Sequence, residues 1–184
     1  MVFLEAPEQL LAERRRLGLD GRDELWEGEL HMVPPPSFGH QEREAALAAL
    51  LLPVVRAQGL RLATETGLYE GDGGWRVPEL AVAAPGHVTH RGVEGGAVLV
   101  VEIRSPGDET DAKIPFYDRF GVDELLIVDR DTATVELLRR SSGGLVAVPA
   151  DDTGWVGSAL GVDFRSAPGN VLEVRLPGGL VERC

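Results

Sequence analysis

Lysine is nearly absent from this chain: 17 of its 18 basic side chains are arginine, and Lys113 stands alone. A general avoidance of lysine would account for the arginines and leaves position 113 to be explained. Cysteine occurs once, as the last residue, Cys184. That excludes a disulfide framework and a thiolate-built structural zinc site, and it fits a reducing cytoplasm. A basic surplus is lacking as well, since 30 acidic residues against 18 basic ones leave a formal charge of −12. Such a balance argues against a broad basic face for nucleic acid or anionic membrane, although a bound divalent cation or a local arginine cluster can reverse the sign within one cleft. No apolar run approaches the roughly 18 residues of a spanning helix, and "MVFLEAPEQLLAERRRLG" has no signal-type cleavage pattern. A cytoplasmic protein with no membrane partner is expected. Repeats and low-complexity runs are missing too.

What is present suits one core. A length of 184 residues with 43% hydrophobic content predicts a single domain over residues 1–184. "APEQLLAERRRLG" reads as a short helix with Pro7 in its first turn. "DELWEGELHMV" reads as a hairpin around Gly28, with Trp26 and Leu30 on its buried side. From His40 to Arg56, apolar Leu47, Leu50, Leu51 and Val54 recur at helical spacing, with His40 and Glu44 on the edge of that stripe. "LRLATETGLYE" and "WRVPELAVAAP", separated by "GDGG", predict an antiparallel pair with Glu79 in mid-strand. "AVLVVEI" and "VDELLIVD" are unbroken apolar runs, as strands covered on both faces require. A short helix between them ends at Phe120 before Gly121. "TATVELLRR" and "GLVAVPA" add a hairpin, and the tail from Asp151 supplies further strands of the same domain. The order helix, three strands, helix, strand predicts an α/β fold: a mixed β-sheet flanked by helices, with additional β-hairpins.

Buried strands rarely carry carboxylates, because an ionised group out of water is costly unless paired or bound to metal. Glu79 and Glu102 both break that rule. Neighbouring acids raise each other's pKa unless a cation intervenes, and Mg²⁺ or Mn²⁺, which needs only one or two carboxylates plus waters, is the natural candidate. A lysine beside such a metal orients or helps deprotonate a water, since a desolvated ammonium lowers its pKa where a guanidinium does not. Lys113 has the spacing for that role. His87 and His90 show an H-x-x-H spacing without a third ligand in reach. Asp108, Glu109 and Asp111 read as capping and first-turn acids of the following helix.

"VPEL", "VVEIRSP" and "DAKIPFYDRFGVDELLIVD" resemble the Uma-two family of restriction-endonuclease-like domains, a branch of the PD-(D/E)-x-K nuclease superfamily. "LWEGELHMVPPPSFGHQ" resembles that family's opening, a glutamate-glycine hairpin followed by a histidine at the start of a helix. The similarity runs from about Leu25 to Val128, so the resemblance implies a core over about 25–130, with the N-terminal helix and the C-terminal strands appended. It further implies Glu79, Glu102 and the Ile103 backbone carbonyl as metal ligands. Lys113 would be the catalytic lysine, moved from strand to helix, with Tyr117 its neighbour one turn on. His40, Glu44 and Arg104 are accessory candidates; Arg104 would bind phosphate or pair with a glutamate. The chain departs from the family in having Pro78-Glu79 for Pro-Asp and Leu125-Leu126 for an aromatic pair. A Mg²⁺-dependent endonuclease acting on nucleic acid, foremost DNA, is thus expected. The alternatives are a nuclease fold without turnover, used for binding or assembly, and a metal-independent hydrolase using two glutamates as acid and base. Related folds often work as dimers, and the strand-rich tail is where a homo-oligomer contact is expected.

Overall fold

The computed structural model describes residues 2–3, 7–18, 20–71 and 74–184. Ala6 of the first predicted helix segment, and Asp72 and Gly73 of the predicted turn, lie outside the described residues. In chain order the elements are β1 (Val2–Phe3), α1 (Glu8–Leu17), β2 (Glu24–Trp26), β3 (Glu29–His31), α2 (Phe38–Ala57), β4 (Arg61–Thr64), β5 (Leu68–Tyr69), β6 (Gly74–Arg76), β7 (Leu80–Ala83), β8 (Val93–Glu94), β9 (Ala97–Arg104), α3 (Thr110–Phe120), β10 (Val122–Asp129), β11 (Val135–Ser141), β12 (Gly144–Ala147), β13 (Val156–Gly157), β14 (Asp163–Ala167), β15 (Val171–Arg175) and β16 (Val181–Arg183).

The two unbroken apolar runs become β9 and β10, which pair in parallel at the centre of a six-stranded mixed sheet ordered β12-β11-β10-β9-β7-β4. Parallel neighbours need a crossover, and α3 supplies it. Both faces of this sheet are covered, as the runs require. On one side Leu47, Leu51, Val54 and Val55 of α2 pack with Leu99, Val101, Leu126 and Val128, joined by Phe164, Leu172 and Val174. On the other, Phe116, Tyr117 and Phe120 of α3 pack on Val100, Leu125 and Ile127. Strand alternation therefore turns Glu102, like Val100, toward α3.

The chain between α2 and β9 differs from the predicted simple pair. β4 pairs with β7 in the central sheet, whereas β5 pairs with β6 in a second sheet ordered β1-β3-β2-β6-β5-β8. Glu65, with a φ of 45°, breaks the extended run after β4. Pro78, which has no N–H for a ladder, precedes the return into β7. Glu79 is accordingly not in mid-strand but at a bend directly before β7. The tail does not extend the central sheet either: β13 to β16 form a four-stranded sheet of their own. The predicted hairpin at Gly28 is present as β2 and β3, and its two-residue turn, Glu27-Gly28, has φ values of 52° and 97°. Both positive values match the twist of a tight hairpin.

Glu124 of β10 ties the central sheet to the segment that follows β13 of the four-stranded sheet. Its side chain, 2% exposed, accepts from Arg139 Nε at 2.7 Å, Ser158 Oγ at 2.5 Å and the Ala159 N–H at 3.0 Å. Glu124→Ala is expected to destabilise the protein by about 2–4 kcal/mol in urea unfolding, because it leaves the buried Ser158 hydroxyl without its acceptor and takes the shared acceptor from Arg139 and the Ala159 N–H. A midpoint within error of the native one would show that the contact carries no stability.

Candidate functional site

Register brings the two anomalous acids together. The last ladder pair between β7 and β9 is Leu80 opposite Val101, so one step further Glu79 faces Glu102 on the α3 side. The Ile103 N–H, at the edge β7 has vacated, donates to Glu79 Oε2 at 2.9 Å. In an extended strand the N–H and C=O of one residue leave by the same edge, so the Ile103 carbonyl is directed to the Glu79 side as well.

α3 presents Lys113 and Tyr117, one turn apart, to this pair. Lys113 Nζ lies 3.2 Å from Glu102 Oε1, and the Tyr117 hydroxyl donates to the same oxygen. α2 adds His40 from its first turn, where Ser37 Oγ caps the helix by accepting from the His40 N–H at 3.3 Å. The His40 ring reaches Glu79 Oε1 through Nε2 at 3.0 Å and Ser105 Oγ through Nδ1 at 3.4 Å. Glu79, Glu102, Ile103, Lys113 and His40 all line one cavity of about 530 Å³. Tyr117, fully buried, stands behind it.

A third buried acid belongs to the cluster and was missed from the sequence. Glu24 of β2 lies 2.9 Å from Lys113 Nζ and is 2% exposed. It also accepts from the Trp26 indole N–H at 2.7 Å and the Val77 N–H at 2.8 Å. The signal was available: Glu24 and Trp26 share a strand face, so burying Trp26 buries a carboxylate. His31, opposite Glu24 in the hairpin, stacks on Trp26 with ring centroids 3.9 Å apart and bonds Glu109 through Nδ1 at 2.8 Å.

Other candidates fall elsewhere. Arg104 shares the strand face of Glu102, but it pairs with Asp111 at 2.5 Å and Glu136 at 2.8 Å and does not line the cavity. Glu44 is buried and accepts from Gln41 Nε2 at 2.6 Å, also outside the cavity lining. Burial, with Glu65 nearby, pushes its pKa up. Asp108 takes the capping role, accepting from the Ser105 and Thr110 N–H groups, whereas Glu109 makes no side-chain cap and turns to His31. His87 bonds the Gly96 carbonyl at 3.0 Å.

Electrostatics separates the groups. Burial pushes Glu102 well above the ordinary carboxylate range, aided by Glu79 and Glu24 and opposed by Lys113. Burial acts on Glu79 in the same sense, but the His40 bond, Lys113 and a hydrogen bond with Glu102 outweigh it and hold Glu79 below its ordinary value. The pocket thus favours the neutral form of Glu102 and the charged form of Glu79. Lys113 corrects the expectation of a lowered amine: desolvation does oppose its charge, but Glu102, Glu24 and Glu79 together raise its pKa. It is an ammonium, not a base. Tyr117 is raised by burial and by Glu102 beside it.

The donor chemistry fits a hard divalent cation. Two adjacent buried carboxyls are a pair that such an ion neutralises, and a strand carbonyl adds a third oxygen. Among the described residues, no group of three or more His, Cys, Asp or Glu side chains is arranged to hold a metal. Any site here would rest on these two acids and that carbonyl.

The Uma2 family, described as "Putative restriction endonuclease", matches residues 7–169. The chain belongs to this family. A search of solved structures finds a similar fold in a crystal structure described as a putative nuclease of DUF820 from Anabaena variabilis ATCC 29413. The TM-score is 0.62 at 19% identity, covering 76% of this chain and 83% of that one. No curated protein matches. Membership and the structural likeness place the fold in a restriction-endonuclease-like family. Among the described residues, no helix is long and apolar enough to cross a membrane.

Proposed function

We propose that this chain is a metal-dependent endonuclease that hydrolyses phosphodiester bonds in nucleic acid, foremost DNA. The observation that carries the reading is the convergence of Glu79, Glu102 and the only lysine on one cavity in a chain of a nuclease family. Glu79, Glu102 and the Ile103 carbonyl would hold a divalent cation, Mg²⁺ or Mn²⁺, which when bound polarises a phosphoryl oxygen and lowers the pKa of water. The protein groups have separate tasks. His40 and the Ile103 N–H fix the Glu79 carboxylate, and Tyr117 fixes Glu102. The Lys113 ammonium faces the cavity and stabilises the negative charge that grows on phosphorus as water attacks in line. A raised lysine suits that electrostatic task and not proton abstraction.

Mg²⁺ or Mn²⁺ is expected to raise the melting temperature of the native chain and to leave that of Glu102→Gln unchanged. Incubation with single- and double-stranded DNA should then give strand scission that EDTA abolishes. An equal shift in both proteins would remove Glu102 from the metal site. A shift without scission would leave the fold as a binding module, and cutting that EDTA does not touch would favour the two-glutamate hydrolase.

A further inference from the structure

Arg76 of β6 is a buried cation without an ion-pair partner among the described residues. It is 4% exposed, and its guanidinium carbon lies 4.3 Å from the Trp26 ring centroid and 4.5 Å from that of Phe116. Only Nη1 is engaged, donating to the Leu25 carbonyl at 2.7 Å and the Trp75 carbonyl at 3.2 Å. Among the described residues Nε has no partner, and no carboxylate comes within ion-pairing distance of the group. Nε is closed to solvent, so the free Nη2 is the guanidinium group that can meet an arriving anion. Burial pulls the Arg76 pKa below its ordinary value, against the opposing pull of Glu24 and Glu27.

That side chain lines a second cavity, of about 390 Å³, together with Arg119, Trp26 and Phe116. Two acids share the lining. Glu27, 78% exposed, pairs with Arg119 at 3.3 Å, and Glu29 is half-buried. Arg119 is itself 47% exposed and also reaches Glu70 at 3.8 Å. Such solvent-facing pairs are weak, so an arriving anion can take Arg119 from them.

We propose that this second cavity binds a phosphate-class oxyanion, held by Nη2 of Arg76 and closed from outside by Arg119. The Trp26 and Phe116 rings packed on the Arg76 guanidinium hold it in place, as a preformed anion site requires. The assignment does not depend on the chain cutting nucleic acid. It does bear on the first cavity, because Trp26 lines both and its indole N–H holds Glu24, which holds Lys113. The phosphate is either free or the terminal group of a nucleic-acid strand.

The experiment is a thermal titration of the metal-free full chain with inorganic phosphate, against chloride at matched ionic strength. The expected result is a saturable rise of about 3–5 °C at ten times the dissociation constant. Arg119→Gln should fold normally and need at least about fivefold more phosphate, the loss of one charged contact. Arg76→Lys, which keeps a charge but loses the planar group that packs on Trp26 and Phe116, should lose the saturable rise. If Arg76→Lys does not fold, the native chain and Arg119→Gln still decide. No saturable rise in the native chain, or an unchanged midpoint in Arg119→Gln, overturns the proposal. A 5′-phosphorylated dinucleotide and its unphosphorylated twin then identify the source. Tighter binding of the phosphorylated one than of inorganic phosphate assigns a strand end, and equal or weaker binding assigns the free anion.

Discussion

Replacing Lys113 by methionine is expected to slow strand cleavage by about 10²–10³-fold, the scale of removing one preorganised donor from a developing charge. The same substitution should make stability strongly pH-dependent in metal-free buffer. In the native chain Lys113 lowers both Glu79 and Glu102. Without it Glu102, already raised by burial, rises further, and Glu79 loses one of the influences holding it down. A carboxyl whose folded pKa exceeds its unfolded value, about 4.3, makes the folded state the better proton binder in the window between the two. Stability is then intact below that window and falls as pH rises through it. The variant should melt close to the native chain near pH 4.5 and lose about 3–5 kcal/mol by pH 8, where the acids must ionise unpaired. A melting-temperature deficit that stays constant from pH 4.5 to pH 8 would refute this account of the lysine.

The same geometry answers why one lysine persists among arginines. Nζ is a single point donor placed 2.9 Å from Glu24 Oε1 and 3.2 Å from Glu102 Oε1, with the side chain only 14% exposed. A planar guanidinium spreads its charge over a fork and cannot occupy that point between two acids from different sheets. Lys113→Arg is therefore not expected to restore cleavage.

Sequence reasoning reached this site through its anomalies. A glutamate in an apolar run is a violation that a single strand displays, so Glu102 was visible, as was Glu79, although its place in mid-strand was not borne out. The helix carrying Leu47, Leu51 and Val54 was visible by period, and α2 places His40 as that stripe implied. What could not be seen depends on pairings distant in sequence. Nothing local says that β4 joins β7 while β5 joins β6, because the switch rests on one left-handed residue, Glu65, and one proline, Pro78. The sense of the Lys113 shift was hidden for a related reason. Desolvation alone lowers an amine, and only the number of acids around it, one of them from the hairpin at Glu24, reverses the sign.

Glu24→Ala should separate positioning from chemistry. Glu24 holds Lys113 while itself fixed by the Trp26 indole and the Val77 N–H. Removing it strands two buried donors and leaves the ammonium to Glu102, at a cost of about 3 kcal/mol in chemical unfolding. Free to settle on Glu102, Lys113 loses the orientation that directs it into the cavity, and kcat is expected to fall about 10–100-fold with KM within about twofold of native. Glu24→Asp keeps the charge and should recover part of kcat. Glu24→Gln should not, because its amide has one acceptor oxygen for two donors and turns an N–H₂ toward the ammonium. If kcat is native in a folded Glu24→Ala, or if Gln restores it as well as Asp does, then Lys113 is positioned by Glu102 and Tyr117 alone and the hairpin acid serves only to stabilise the fold.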